Sequence, residues 1–327
     1  MTFPMNTNCL DPRDTTPSVE TIGVVIPVYN RRSVLLDTLP HVVAQTRLPD
    51  RVVVVDDGST DGSAEAAEEW LTALSPPFAW QVLRHPHKTA AAARVAGYAA
   101  LGSPDYTTFL DSDDHWPADF LERTLAALRA HPDAVVACVD RRYTDLQGII
   151  HGGDDCRTLV ANPLPWFFRK GAGVASCTLI RSVAYEAVGG WKPELETAED
   201  SELFSMLALA GRWVHAAGEP VDFYLGNADL LGEENNLSRR YVDCQYRWAK
   251  AYELIFAKIC EKRPELAGDW ALRSLLARRW CNAGKDMQKL GRERAARAFY
   301  AQSLKIHPVQ LRGWKRLAGT NVSRSAA

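Results

Sequence analysis

Four short apolar runs, spaced by helix-forming stretches, constrain this chain more than any other feature. "TIGVVIP" (residues 21–27), "RVVVV" (51–55), "FAWQVLR" (78–84) and "YTTFL" (106–110) read as strands. Between them lie an amphipathic segment at about 31–46 containing Pro40, then "SAEAAEEWLTAL", then the alanine-rich "TAAAARVAGYAAL". These read as helices, with Ser59, Thr60 and Asp61 as candidate N-caps of the second. Strands alternating with helices predict a Rossmann-like α/β fold, a mostly parallel sheet flanked by helices. Such sheets bind ligands beyond the carboxyl ends of their strands.

Acidic residues collect at those ends. Asp56 and Asp57 follow "RVVVV", and Asp111, Asp113 and Asp114 follow "TTFL". Both clusters are expected at one edge of the sheet. Two carboxylates spaced Asp-x-Asp on a rigid strand end suit a hard divalent cation, Mn²⁺ or Mg²⁺, shared with substrate phosphates. The cation would relieve the repulsion within 111–114 and clamp a diphosphate leaving group. Asp114 reads instead as a supporting acid, or as a cap of the helix "PADFLERTLAAL" starting at Pro117. The stretch "VDDGSTDGS" reads either as a capped strand-to-helix turn or as a nucleotide contact through a carboxylate.

Beyond residue 130 the pattern is less regular. "DAVVACVD" and "SCTLIR" read as strands, and "AEDSELFSMLALA" as a helix with acids in its first turn. From about residue 240 the chain reads as nearly all helix, and "AGKDMQKLGRERAARAFYAQSLKIHP" resembles one tetratricopeptide-type hairpin. Charge divides the chain at the same place. From Arg239 onward there are 20 Lys+Arg against 7 Asp+Glu, whereas the preceding part has 18 against 33. The basic helices suit an anionic membrane surface or an anionic acceptor, or else dock on the acidic body. No nucleic-acid motif accompanies them. Seven scattered cysteines without a CxxC pair predict a reducing, cytoplasmic setting, with neither a zinc site nor a disulfide framework. Residues 1–19 lack an apolar core and predict a disordered leader, not a signal peptide.

The motifs "VVIPVYNRRSVLLDTL", "VVVDDGSTDGS", "AAAARVAGY", "TTFLDSDDHWP", "VGGWKPELETAEDSEL" and "NNLS" occur in the order seen in family 2 glycosyltransferases of the GT-A fold, which the chain resembles over about 20–240. The resemblance implies a GT-A domain at 20–238 and sets the basic helical extension at 239–327 apart from it. It implies a nucleoside-diphosphate sugar donor, with UDP the commonest nucleotide, and a glycan, polysaccharide or glycolipid acceptor. By position, Pro27, Val28 and Tyr29 would border the base, and Asp56 or Asp57 would contact base or ribose. Arg94 is expected near the diphosphate, with Lys88 able to add charge, and Asp111–Ser112–Asp113 matches the metal-binding DxD motif. Glu199 and Asp200 match the family's ED motif, whose aspartate is the expected base of a single inverting displacement. Read without the resemblance, those two acids are first of all first-turn residues favoured by the helix dipole.

The departures are the apolar "HKTAAAARVAG" in place of a Gly-rich loop, and acids before "NNLS" where a third metal ligand often lies. QxxRW is absent, which argues against processive synthesis. A non-catalytic glycan- or nucleotide-sugar-binding scaffold is the main alternative. A nucleotidyltransferase fits less well, because no basic Gly-rich loop follows the first strand. Trp166, Phe167 and Phe168 read either as a sugar- or lipid-facing cluster or as buried core, and Trp191 has the same ambiguity. The Asn236–Ser238 sequon reads as spurious.

Overall fold

A computed structural model describes residues 20–320, apart from 87, 146, 196 and 225–242. Asn236–Ser238 and the acids before them lie outside the described residues.

The predicted alternation forms as read. Strands β1 (Ile22–Val28), β2 (Arg51–Asp56), β3 (Ala79–Arg84) and β4 (Tyr106–Phe109) alternate with helices α1 (Arg32–Val43), α2 (Ser63–Leu74) and α3 (Ala90–Leu101). β1 pairs in parallel with β2 and with β4, and β2 with β3. The seven-stranded sheet is completed by β6 (Ala134–Cys138), β9 (Thr178–Arg181) and β10 (Arg212–His215), in the order β10-β6-β9-β4-β1-β2-β3. β9 is antiparallel to both neighbours, so the sheet is mixed but mostly parallel. β1 and the valines of β2 are buried throughout, as a strand covered on both faces must be.

Small residues in α3 let that helix sit close on the sheet. A Cβ on Gly97 would lie 2.4 Å from Val25 Cγ1 and 2.9 Å from Val55 Cγ2. The alanine-rich composition therefore serves packing as well as helix propensity.

A smaller sheet joins β5 (Asp114–His115), β11 (Val221–Tyr224), β7 (Arg141–Thr144) and β8 (Ile150–Asp154). Asp114 is therefore a buried strand residue. It does not cap the following helix, α4 (Phe120–Ala130), whose N-cap is Asp119. The second helix also differs from expectation, because its N-cap is Gly62 in the left-handed region. Ser59 and Asp61 tie two loops together instead. Asn30 N donates to Ser59 Oγ and Arg32 N to Asp61 Oδ2, each at 2.9 Å. These bonds fasten the β1–α1 turn to the β2–α2 turn.

The Trp166–Phe168 cluster is core. It lies in α6 (Pro163–Lys170), which follows the short α5 (Arg157–Ala161), and all three rings are buried. The short α7 (Ser182–Ala187) leads on to α8 (Glu199–Ala210). Beyond the sheet stand α9 (Cys244–Lys262), α10 (Trp270–Lys289), α11 (Glu293–Ile306) and α12 (Leu311–Ala318). These helices are docked on the body. Phe168 of α6 and Met206 of α8 share one apolar cluster with Tyr252, Ile255, Leu276 and Trp280. Full burial of each such side chain stabilises by roughly 1.5–3 kcal/mol. Lys258 adds a 2.7 Å ion pair to Glu202, which is buried in α8.

Candidate active site

Parallel pairing brings the two acidic clusters to one edge, because Val28 stands opposite Asp56 and β4 lies on the other side of β1. Pro27 and Val28 are buried at the end of β1, and Tyr29 is half-buried just beyond. Asp56 accepts from Ser59 N at 2.9 Å, closing its own turn. Asp57 reaches the opposite way. It meets His85 Nδ1 at 2.9 Å and accepts from Lys88 N at 3.2 Å on each oxygen. Lys88 thus holds Asp57 through its backbone, while its side chain is exposed.

The "LDSDD" acids are met by arginines. Arg94 donates to Asp111 Oδ1 at 2.6 Å, and Arg31 pairs with Asp113 at 2.7 Å. Ser112 is buried and its carbonyl accepts from Thr38 Oγ1. Ser176 Oγ receives the Asp111 amide at 3.0 Å, which fixes the turn. Arg94 lies over the Trp191 ring at 4.4 Å, so Trp191 is a buried core ring that packs beneath this guanidinium. Burial opposes the charge of Arg94, but Asp111 and then Glu199 more than offset it and raise its pKa.

These residues fit a divalent cation. Their donors are carboxylate oxygens, the chemistry Mg²⁺ and Mn²⁺ prefer. Asp111 bonds Arg94 through Oδ1 and keeps 36% of its side chain exposed. Burial, then Asp113, then Asp111 push Asp114 well above the usual carboxylate range.

Arg94 also links this edge to α8, with Nη1 3.9 Å from Glu199. Ala198, the residue before the helix, has φ +58, an uncommon and strained value for a residue with a Cβ. Burial, then Asp200, raise Glu199 to about 7, with Asp111 adding to this and Arg94 opposing it.

Asp200 is held by amides. Oδ2 accepts from Gly173 N at 2.7 Å, and Oδ1 from Ser201 N at 2.6 Å. It borders a cavity of about 560 Å³ whose walls include Tyr143, Lys170, Trp248 and Arg279. Two of those residues come from the C-terminal helices. The same helices secure the loop beneath Asp200. Tyr252 OH donates to Phe167 O at 2.9 Å and lies 2.7 Å from Ser201 Oγ. Arg279 Nε donates to Phe168 O at 3.1 Å, and its guanidinium stacks on Tyr252 at 4.0 Å.

Sequence reasoning did not single out Arg31, His85, Ser201, Trp248, Tyr252 or Arg279. Arg31 was open to inference, since it follows the first strand by three residues. The three C-terminal residues carry no local signal.

The fold is that of GT-A glycosyltransferases. The solved structure of S. aureus TarS in complex with UDP-GlcNAc superposes with a TM-score of 0.62 at 17% identity, covering 91% of this chain and 89% of that one. The mannosyltransferase PcManGT from Pyrobaculum calidifontis, in complex with GDP-Man and Mn²⁺, gives 0.55 at 19% identity, covering 93% and 88%. Residues 23–182 match the model of glycosyl transferase family 2, and this region of the chain is a family 2 glycosyltransferase domain. The succinoglycan biosynthesis protein ExoA of Rhizobium meliloti is 30% identical over 223 residues, 64% of each chain. Glycosyltransferase GlyG of Streptococcus pneumoniae is 33% identical over 95 residues, 29% of this chain and 31% of its own. The chain therefore spans less than two thirds of either relative.

Proposed function

We propose that this protein transfers a sugar from a nucleoside-diphosphate sugar to a hydroxyl of a glycan, polysaccharide or glycolipid acceptor, with inversion and one residue per encounter. The observation that carries this reading is Asp200: a carboxylate oriented by two amides, at the wall of a cavity, linked through Glu199 and Arg94 to the strand-edge acids. A scaffold that only bound sugar would have no need of such a base.

In the proposed step the acceptor oxygen attacks the anomeric carbon and gives its proton to Asp200. The bond from that carbon to the diphosphate oxygen breaks, and its electron pair leaves with the nucleoside diphosphate. Asp111 and Asp113 would hold a divalent cation, which when bound supplies Lewis-acid stabilisation of the diphosphate charge. Arg94, beside Asp111, adds a fixed positive charge at the same place. Pro27, Val28, Tyr29 and Asp57 surround the place assigned to base and ribose. UDP is the proposed nucleotide, in line with the UDP-GlcNAc bound by TarS; the GDP-Man of PcManGT is the alternative to test. The six described cysteines are free thiols, in keeping with a reducing cytoplasmic setting.

The test is thermal-shift screening of UDP- and GDP-sugars with and without Mn²⁺, followed by donor hydrolysis. A metal-dependent shift with one nucleotide class and slow hydrolysis of that donor are expected. No shift with any donor would overturn the reading.

A further inference from the structure

The far end of the C-terminal helices carries a feature that sugar transfer does not use. Trp270, Val309, Leu311 and Trp314 are 60%, 63%, 73% and 53% exposed. They form one patch. The Trp270 ring packs on His307 at 4.0 Å, and Trp314 Nε1 donates to Pro308 O at 2.8 Å. The His307–Gln310 turn therefore joins the two indoles.

The helix geometry explains why these side chains face outward. Gly313 is buried on α12, where a Cβ would lie 2.9 Å from Leu304 Cδ2. With 100° per residue, the residues at 311 and 315 then point away from the body, flanked by 312 and 314. That outer face holds Leu311 and Trp314 beside Arg312 and Lys315, all exposed. From Arg294 to the end the sequence holds seven Lys+Arg and no Asp or Glu.

We propose that this patch docks on the surface of an anionic lipid bilayer. A short helix lying in the headgroup region, with tryptophan and leucine inward and basic residues at the rim, is the chemistry such a surface selects. Each Lys or Arg near an anionic leaflet strengthens the attraction, and salt screens it. The absence of acids in the last segment favours lipid over a protein partner of mixed charge. Docking is reversible, because no described helix is long and apolar enough to cross a membrane. The proposal stands apart from the reading of the active site.

The full chain is co-sedimented with phosphatidylcholine vesicles, with and without phosphatidylglycerol. Binding is expected only to the anionic vesicles, and it should fall at high salt. The double variant Trp270→Ala/Trp314→Ala should bind about tenfold more weakly, and Arg312→Ala/Lys315→Ala should lose most of the preference for anionic lipid. These exposed positions leave the fold intact, which circular dichroism checks. Wild-type protein that stays in the supernatant with both vesicles overturns the proposal. So does binding that both double variants retain, or concentration-dependent self-association abolished by Trp314→Ala without vesicle binding.

Discussion

The acids after β4 and the acid at the start of α8 are held in opposite ways. Asp111 and Asp113 each lean on an arginine side chain supplied from within the sheet domain. Asp200 leans on backbone amides, and the loop that supplies Gly173 N hangs from α6, whose last carbonyls are gripped by Tyr252 and Arg279. A carboxylate paired with a side-chain guanidinium can exchange that partner for a cation. A carboxylate fixed by amides is aimed, and it keeps its aim only while the loop keeps its place. One half of the site is thus assembled by charge and the other by packing, and removing residues should separate the two.

The largest effect should come from Asp200→Asn. Transfer and donor hydrolysis should fall by about 10²–10⁴-fold, the usual worth of a general base, while the thermal shift given by donor with Mn²⁺ stays near wild type. Loss of donor binding as well would place Asp200 on the donor side and erase the contrast. Asp113→Ala should do the reverse, abolishing the metal-dependent part of donor binding in titrations with and without chelator. Unchanged activity in excess chelator would remove the cation from the mechanism.

Tyr252→Phe tests the packed half. Tyr252 has one hydroxyl proton, and Phe167 O can only accept it. Ser201 must then give its own proton to Tyr252, leaving the Ser201 N–H alone on Asp200 Oδ1. Without the tyrosine oxygen, the Ser201 hydroxyl turns to Asp200, which lies 3.2 Å away. That extra bond occupies the carboxylate oxygen that would take the acceptor's proton. Donor hydrolysis should slow by about tenfold, with donor binding and melting temperature near wild type. A slower enzyme that also melts at lower temperature would mean that Tyr252 serves packing alone.

The two halves also differ in how far the sequence revealed them. The acidic strand edge was legible because its acids follow apolar strands within a few residues, and parallel pairing then fixes where they meet. Asp200 was legible only through resemblance, since a helix-start acid has an ordinary explanation. Tyr252 and Arg279 were not legible at all. They sit in amphipathic helices 52 and 79 positions beyond Asp200, and periodicity marks them simply as inward-facing. The thiols of Cys138, Cys156 and Cys177 teach the same lesson. They are scattered in sequence, yet their sulfurs meet within 4.8 Å in the core. Local misreadings had local causes: Asp61 and Asp114 are residues that cap helices well, but Asp61 bridges two loops and Asp114 is drawn into a strand beside β11.

The smallest effect on rate is expected at Glu199, which stands between the halves and acts on stability. Its carboxyl is pushed from 4.5 in the unfolded chain to about 7 in the fold, by burial first and then by Asp200. Below the lower value both states hold the proton and the residue is neutral in effect. As pH rises towards the upper value, the folded state retains a proton that the unfolded state has released. Stability is therefore lost across that window and stays lost above it. Glu199→Gln keeps the shape without the titration, so it should match wild type in acid and exceed it by about 1–3 kcal/mol near pH 8. Paired thermal melts at the two pH values read this directly. A variant less stable at the higher pH would show that the anion of Glu199 is needed as a counter-ion for Arg94. The link between the strand edge and α8 would then be an ion pair, and the two halves would be one charged network.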